Sequence, residues 1–250
     1  MTARYALSLL ALCCSTSVLA AGKPKEITCY SDTFAPYVLS ADGKITGIDV
    51  DTIDEVGKRI GVKINFKLLP WVRLEEDIKK GAGSEVECAY AYGRTPEREA
   101  YMDFTTVPLH VTAYTLFARK DANIAYKSLA DMKGKSVGLR RGFKAPPEFE
   151  EAVKSGQIKV EEIDKDEQNL QKLSSGRIDA ILTNQDVGRY TAGQLKISNI
   201  MPLSPPVKST PTFLIFNKAK GHAGLAAEFD KALKAIQADK TYEKLYDKYM

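Results

Sequence analysis

The run Tyr90-Ala91-Tyr92-Gly93-Arg94-Thr95-Pro96-Glu97-Arg98 carries the clearest chemical signal in this sequence. The apolar stretch Val86 to Tyr90 predicts a strand, followed by a short loop and a helix start. Thr95 is a good N-cap, Pro96 a good first helical residue, and Glu97 is favourable beside the positive helix end. Arg98 then falls in the first helical turn, just past the carboxyl end of a strand, where open α/β sheets bind ligands. A guanidinium there, beside free backbone N–H groups, suits a small carboxylate. Trp71 follows Pro70 at a similar strand-to-helix junction, which makes it a cleft candidate on position alone.

Other reactive chemistry is sparse. His110 and His222 are far apart and share no repeated context, so both are expected to be structural. No Cys or His cluster has metal-ligand spacing, and no Ser-His-Asp order or phosphate loop is present. The reading therefore expects no metal, no cofactor and no catalytic residue.

The first twenty residues have the composition of a secretory leader. Arg4 gives a positive start, Tyr5 to Leu12 an apolar core, and Val18-Leu19-Ala20 a small-residue cleavage site before Ala21. The apolar run is shorter than the roughly 20 residues that span a bilayer. Cys13 and Cys14 invite a lipoprotein reading, but Leu12 is not the small residue expected before a modified cysteine. Removing residues 1–20 takes away one Arg and no acid, leaving 35 basic and 32 acidic residues and a charge of +3. That mild excess contains no basic block, which argues against nucleic acid. Of the two remaining cysteines, Cys29 and Cys88 each lie near the end of a predicted strand. An exported chain allows a disulfide between them; the alternative is two buried thiols acting as small hydrophobes.

The elements that must position Arg98 and Trp71 alternate between strand and helix. Strands are expected at Ile27–Tyr30, Val62–Leu68, Val86–Tyr90, Ser136–Arg140, Lys159–Ile163, Ile178–Leu182 and Thr212–Phe216. The apolar positions Ile48, Ile53, Val56 and Ile60 approximate a helical stripe closed by Gly61. Further helices are expected at Val72–Lys80, from Pro146-Pro147, at Gln168–Ser175 and at Asp186–Gln194, with two amphipathic helices after Phe216. The long run Val111–Ala118 reads as a first crossing between lobes, and the proline-rich Leu203–Pro211 as a second. The two halves echo each other weakly, since each has a helix ending at Gly before an acid and an apolar strand. Two α/β lobes joined by two crossings make a cleft that closes around a small molecule.

At this point the chain resembles the family 3 periplasmic solute-binding proteins, the polar amino-acid group serving ABC importers. The resemblance spans about residues 26–250. It rests on Phe34-Ala35-Pro36-Tyr37, Gly47-Ile48-Asp49-Val50-Asp51, Thr95-Pro96-Glu97-Arg98 with Met102-Asp103-Phe104-Thr105, and Pro108-Leu109. The second half supplies Leu129, Gly134-Lys135-Ser136-Val137-Gly138, Gly142, Gly176-Arg177-Ile178-Asp179-Ala180 and the tail Tyr242 to Tyr249. It implies an α/β, two-lobed Venus-flytrap fold, each lobe a mostly parallel sheet flanked by helices, with two hinge crossings. Lobe 1 would comprise residues 21–113 and 212–250, and lobe 2 residues 114–211.

The resemblance also assigns roles. The Arg matching Arg98 grips the ligand carboxylate, while Phe34 and Trp71 match the aromatic positions that pack on its body. Tyr90 and Gly93 fall in the hydroxyl-rich run before the Thr95 motif, and Phe143 and Lys144 in the second-lobe loop that donates backbone N–H groups. Ser31 and Asp32 compete for an acidic position before the first aromatic. Where many members carry an Asp for the ligand ammonium, this chain has Asn184, with Asp186 two residues later. Asp186 either serves instead or caps the following helix. Arg140, Arg141 and Lys144 make the second-lobe loop basic; two or more pointing inward would mean an anionic ligand.

The reading is thus a periplasmic binder of a small carboxylate-bearing solute, most simply an amino acid, which is monomeric and docks on an inner-membrane ABC permease. The alternatives weighed against it are an exported cyclohexadienyl-dehydratase-like enzyme and a ligand-binding partner of a membrane sensor.

Overall fold

A computed structural model describes residues 23–141 and 145–250. The leader expected at residues 1–20 and the loop residues Phe143 and Lys144 lie outside the described residues. The order opens with β1 (Glu26–Ser31), the small pair β2 (Leu39–Ala41) and β3 (Lys44–Thr46), α1 (Ile48–Ile60) and β4 (Lys63–Leu68). Then come α2 (Trp71–Ile78), β5 (Cys88–Gly93), the single-turn α3 (Pro96–Glu99) and β6 (Met102–Phe104). The long β7 (His110–Arg119) leads to β8 (Ser136–Arg140), α4 (Pro147–Lys154), β9 (Lys159–Ile163) and α5 (Asp166–Ser174). These are followed by β10 (Ala180–Asn184), α6 (Gln185–Gln194) and β11 (Ile200–Pro202). The long β12 (Lys208–Asn217) returns, followed by α7 (Ala223–Ala238) and α8 (Thr241–Asp247).

One curled sheet follows the path β4-β1-β5-β12-β7-β10-β8-β9. β1 is parallel to β4 and β5, and β8 is parallel to β9 and β10. Each half therefore has the same plan: second strand, first strand, third strand, then a long antiparallel strand. β12 fills that last place beside β5 and β7 fills it beside β10, while the two long strands pair with each other in the middle. The weak internal echo in the sequence corresponds to this repeated strand order. The architecture is α/β and two-lobed, with both crossings built as strands.

The apolar side chains separate in the same way. One pair of clusters joins β1, α1, β4, β5 and α7 on one side and β1, α2 and β5 on the other. A second pair is built on β7, β8, β10, α4 and α5. Ile48, Ile53 and Val56 are buried on α1, and Gly61 ends that helix at φ 70°, a left-handed conformation that glycine takes without strain. Gly47, ahead of α1, sits at φ 131°, where a Cβ would lie 2.2 Å from the Tyr37 carbonyl oxygen.

Three of the boundaries that differ from expectation bear on the site. β5 runs through Tyr92 and Gly93, residues expected as loop, because a bulge lets the strand continue. β10 ends at Asn184 rather than Leu182, so Asn184 is both the last strand residue and the cap of α6. The second crossing is itself strand from Lys208, with Pro211 in the β12–β7 ladder. Cys29 and Cys88 are register partners on neighbouring β1 and β5, with Cα atoms 4.4 Å apart, and are joined by a disulfide.

Candidate functional site

The carboxyl ends of β1, β5 and β8 converge on a cavity of about 400 Å³ between the lobes. Ser31, Asp32, Thr33 and Phe34 follow or end β1; Ala91 and Gly93 belong to β5; Arg98 and Trp71 come from α3 and α2. The crossings provide a floor of hydroxyls, Thr112 and Tyr114 from β7 with Thr210 and Thr212 from β12. These alternate along their strands, and Thr112 sits directly opposite Thr210, so the period-two rule puts them on one face. Arg140 closes the cavity from β8. A second cavity of about 370 Å³ shares Thr33, Phe34 and Arg140 with the first and continues to Asp166, Thr183 and Asn184.

Arg98 is held from three sides. Its Nη1 donates to the Gly93 carbonyl at 2.8 Å and its Nη2 to Glu75 Oε1 at 2.6 Å. The guanidinium carbon lies 5.1 Å from the Tyr92 ring centre and 6.0 Å from that of Trp71, within cation–π range. The Thr95 hydroxyl accepts from the Arg98 N–H at 3.3 Å, as expected of the cap. Glu75 stands one helical turn beyond Trp71, so α2 carries platform and carboxylate on one face. Glu75 does not border the cavity; it anchors Arg98 from behind.

A bulge in β5 makes this arrangement possible. Phe213 pairs with Tyr92 and Ile215 with Ala89, so Tyr90 and Ala91 together oppose Leu214. Ala91 takes φ 64°, as the extra residue of a bulge can. The extra residue reverses the alternation of faces. Tyr90 stays with Cys88 in the core against α1 and α7, while Tyr92 joins Ala89 on the side of Trp71. Ser31, buried, donates its hydroxyl to the Tyr90 carbonyl at 3.3 Å and so secures the bulge.

The expected site residues divide accordingly. Arg98, Trp71, Phe34, Gly93 and Ser31 line the first cavity, and Asn184 lines the second. Trp71 is half-buried with its ring 4.5 Å from that of Tyr92, and its backbone N–H donates to Asp32 Oδ2 at 3.0 Å. Tyr90 does not reach the cleft: it is fully buried, edge-on to Phe66, on the face opposite Arg98. Asp186 does not line either cavity. One of its oxygens accepts from the Tyr37 hydroxyl and the other from the Tyr246 hydroxyl at 2.8 Å. Both tyrosines pack in the first-lobe core, so Asp186 ties the second lobe to the first. Burial, reinforced by the Asp186 charge and hydrogen bond, pushes the Tyr37 hydroxyl far up and Tyr246 to about 12.

Asn184 caps α6, its Oδ1 accepting from the N–H groups of Asp186 and Val187 at 2.8 and 3.2 Å. Arg141 turns away, exposed, to Asp164 at 3.1 Å. His110 stacks on Tyr37 at 3.7 Å, and its Nδ1 lies 2.9 Å from the buried Asp49 carboxylate. Of the basic residues named for the second-lobe loop, Arg140 lines both cavities. Glu75, Asp166, Ala91 and the crossing hydroxyls were not expected. The alternation of Thr and Tyr along both crossings could have indicated the last group; nothing local marks Glu75 as the partner of Arg98.

A cleft between two repeated α/β lobes, lined by a platform-held arginine, aromatic surfaces and hydroxyls, defines a binding protein for a small polar solute. The chain belongs to the bacterial extracellular solute-binding proteins, family 3, whose model matches residues 27–250. It is 28% identical over 217 residues to a probable amino-acid-binding protein, YxeM, of Bacillus subtilis, covering 86% of this chain and 79% of that one. It is 26% identical over 232 residues to the ABC transporter arginine-binding protein 1 of Escherichia coli, covering 88% of each. The unliganded, open L-cystine solute receptor of Neisseria gonorrhoeae superposes with a TM-score of 0.72 at 26% identity, covering 90% of this chain and 92% of the receptor. These relatives are binding proteins, and the likeness to them supports a solute-binding role.

Proposed function

We propose that this chain is the solute-binding component of an ABC importer and captures a small carboxylate-bearing solute, most simply an amino acid, between its lobes. The observation that carries this reading is Arg98, bordering the inter-lobe cavity while Glu75, Gly93, Tyr92 and Trp71 fix its guanidinium. A solute carboxylate would take the remaining N–H donors of Arg98, with Trp71 and Phe34 against its body and the crossing hydroxyls beneath. Lobe closure removes water, so hydrogen bonds involving charged groups contribute about 1.5–3 kcal/mol each. The closed form then docks on a membrane permease.

The lobes are assigned as residues 21–113 with 212–250, and 114–211, in keeping with the partition of the apolar clusters. The protein is exported to the periplasm through a leader at residues 1–20 and acts as a single copy. The carboxyls that could serve a dehydratase are otherwise engaged: Asp186 by two tyrosine hydroxyls, Asp32 by the Trp71 backbone N–H and Glu97 by Lys79 at 3.5 Å. That favours binding without catalysis. A thermal-shift screen of the mature chain over amino acids and organic acids tests the reading, because a ligand that binds the folded state raises the melting temperature by mass action. Stabilisation by at least one carboxylate-bearing solute is expected; a flat response across the whole panel would overturn it.

A further inference from the structure

The guanidinium groups of Arg98 and Arg140 border the same 400 Å³ space from opposite lobes. Their bonding differs. Arg98 makes two short hydrogen bonds to protein acceptors. Arg140 is half exposed and, among the described residues, makes one ion pair with Asp166 at 3.5 Å and no hydrogen bond. In the adjoining cavity, which Arg140 also lines, Asn184 is only 2% exposed. Its Oδ1 is engaged at the start of α6, whereas its Nδ2 is buried without a partner. An unmet buried donor is unfavourable, and native structures rarely keep one without a reason.

Two acids beside Arg140 are already matched, while Glu167, which lines the adjoining cavity, has no ion pair among the described residues. Asp166 faces Arg140, and Asp164 faces Arg141 at 3.1 Å. Burial raises the pKa of the Asp166 carboxyl, against the pull of Arg140, which weakens it as a counter-charge. The charged residues that line the 400 Å³ space itself are Arg98, Arg140 and Asp32, so that space carries an excess of positive charge.

We propose that Arg140 and the Asn184 amide form a second anion anchor, so that the cleft selects short solutes carrying a carboxylate at each end, one on Arg98 and one on Arg140. This rests on the solute-binding reading above and deepens it. A space of about 400 Å³ lies at the small end of ligand pockets, which suits a short dicarboxylic chain. Asp166 holds Arg140 at the cleft without using its hydrogen-bond donors. Asn184 then has a reason to replace an acid: a carboxylate there would repel the distal group.

Calorimetry on the full mature chain tests this with matched pairs, glutamate against glutamine and glutarate against butyrate. The two-carboxylate member of each pair is expected to bind at least tenfold more tightly. Arg140→Gln should bring each ratio within threefold, and Arg140→Lys should retain most of the preference. Asn184→Asp keeps a helix cap of similar quality but removes the donor, and should weaken the two-carboxylate solutes about tenfold. Equal binding within the pairs, or a ratio that survives Arg140→Gln, overturns the second anchor. If other solutes bind through Arg98 while these acids do not, solute binding stands and the anchor falls. If no solute binds, both fall.

Discussion

Replacing Asp186 by Ala should release the second lobe from the first. The carboxylate accepts one hydrogen bond from Tyr37 and one from Tyr246, and both donors belong to the other lobe. Hydrogen bonds to charged groups contribute about 1.5–3 kcal/mol each, or about 3–6 kcal/mol for two before solvent is considered. Tyr246 is only partly buried, so its share is screened, and about 2–4 kcal/mol is a reasonable net value. At about 1.4 kcal/mol per factor of ten, the equilibrium between the present lobe arrangement and more open ones should move roughly 30- to 1,000-fold. Small-angle scattering on the ligand-free protein should show a larger radius of gyration for Asp186→Ala. Labels placed on the two lobes should show a broader distance distribution. Asp186→Asn, which keeps one acceptor oxygen, should fall between wild type and Asp186→Ala. Wild-type scattering and distance distributions in Asp186→Ala would refute the clasp, because Tyr37 would then be tolerating a lost partner in place.

Arg98→Ala should weaken binding of the solute found by the thermal screen by about 2–5 kcal/mol, as when one member of a buried charged pair is truncated; a calorimetric change below threefold would remove Arg98 from the site. Reducing the Cys29–Cys88 bond, which spans 59 residues, should lower stability by about 4 kcal/mol on the chain-entropy model, read as a drop in the denaturant midpoint with reductant; an unchanged midpoint would contradict it. Tyr246 is raised to about 12 from an ordinary value of about 10, so its contribution is intact below pH 10 and is lost as the pH rises through 12. Alkaline unfolding of wild type in that window should be partly suppressed in Tyr246→Phe, which has no hydroxyl to ionise; identical profiles would argue against coupling to Asp186.

Much of the fold was legible because it is written in local rules. Periodicity and a glycine stop located α1 and β4, since those segments bury one clear face. Thr95 capped its helix as expected because a cap needs only its own next three residues. The misreadings arose where distant residues decide. Tyr90 has the same local composition as Tyr92, and only the bulge against β12 determines which ring faces Arg98. Asp186 carries a capping residue's signature, yet its carboxylate is claimed by hydroxyls far away in the chain. Glu75 lies on a helix whose polar face resembles any solvated one until α3 brings Arg98 against it. Arg140 differs from Arg141 by one position on a strand end, and strand alternation sends one into the cleft and the other outward.

The bulge at Ala91 has a consequence for how the cleft can be dissected. This residue lies outside the register of the ladder to β12 and lines the cavity, so whatever it offers a solute comes from its main chain and a single methyl group. Truncating side chains around the cleft would leave that contribution untouched. It would emerge only from altering the solute itself, by methylating or deleting one polar atom at a time. An alanine already occupies the position, and an alanine scan would pass over it in silence.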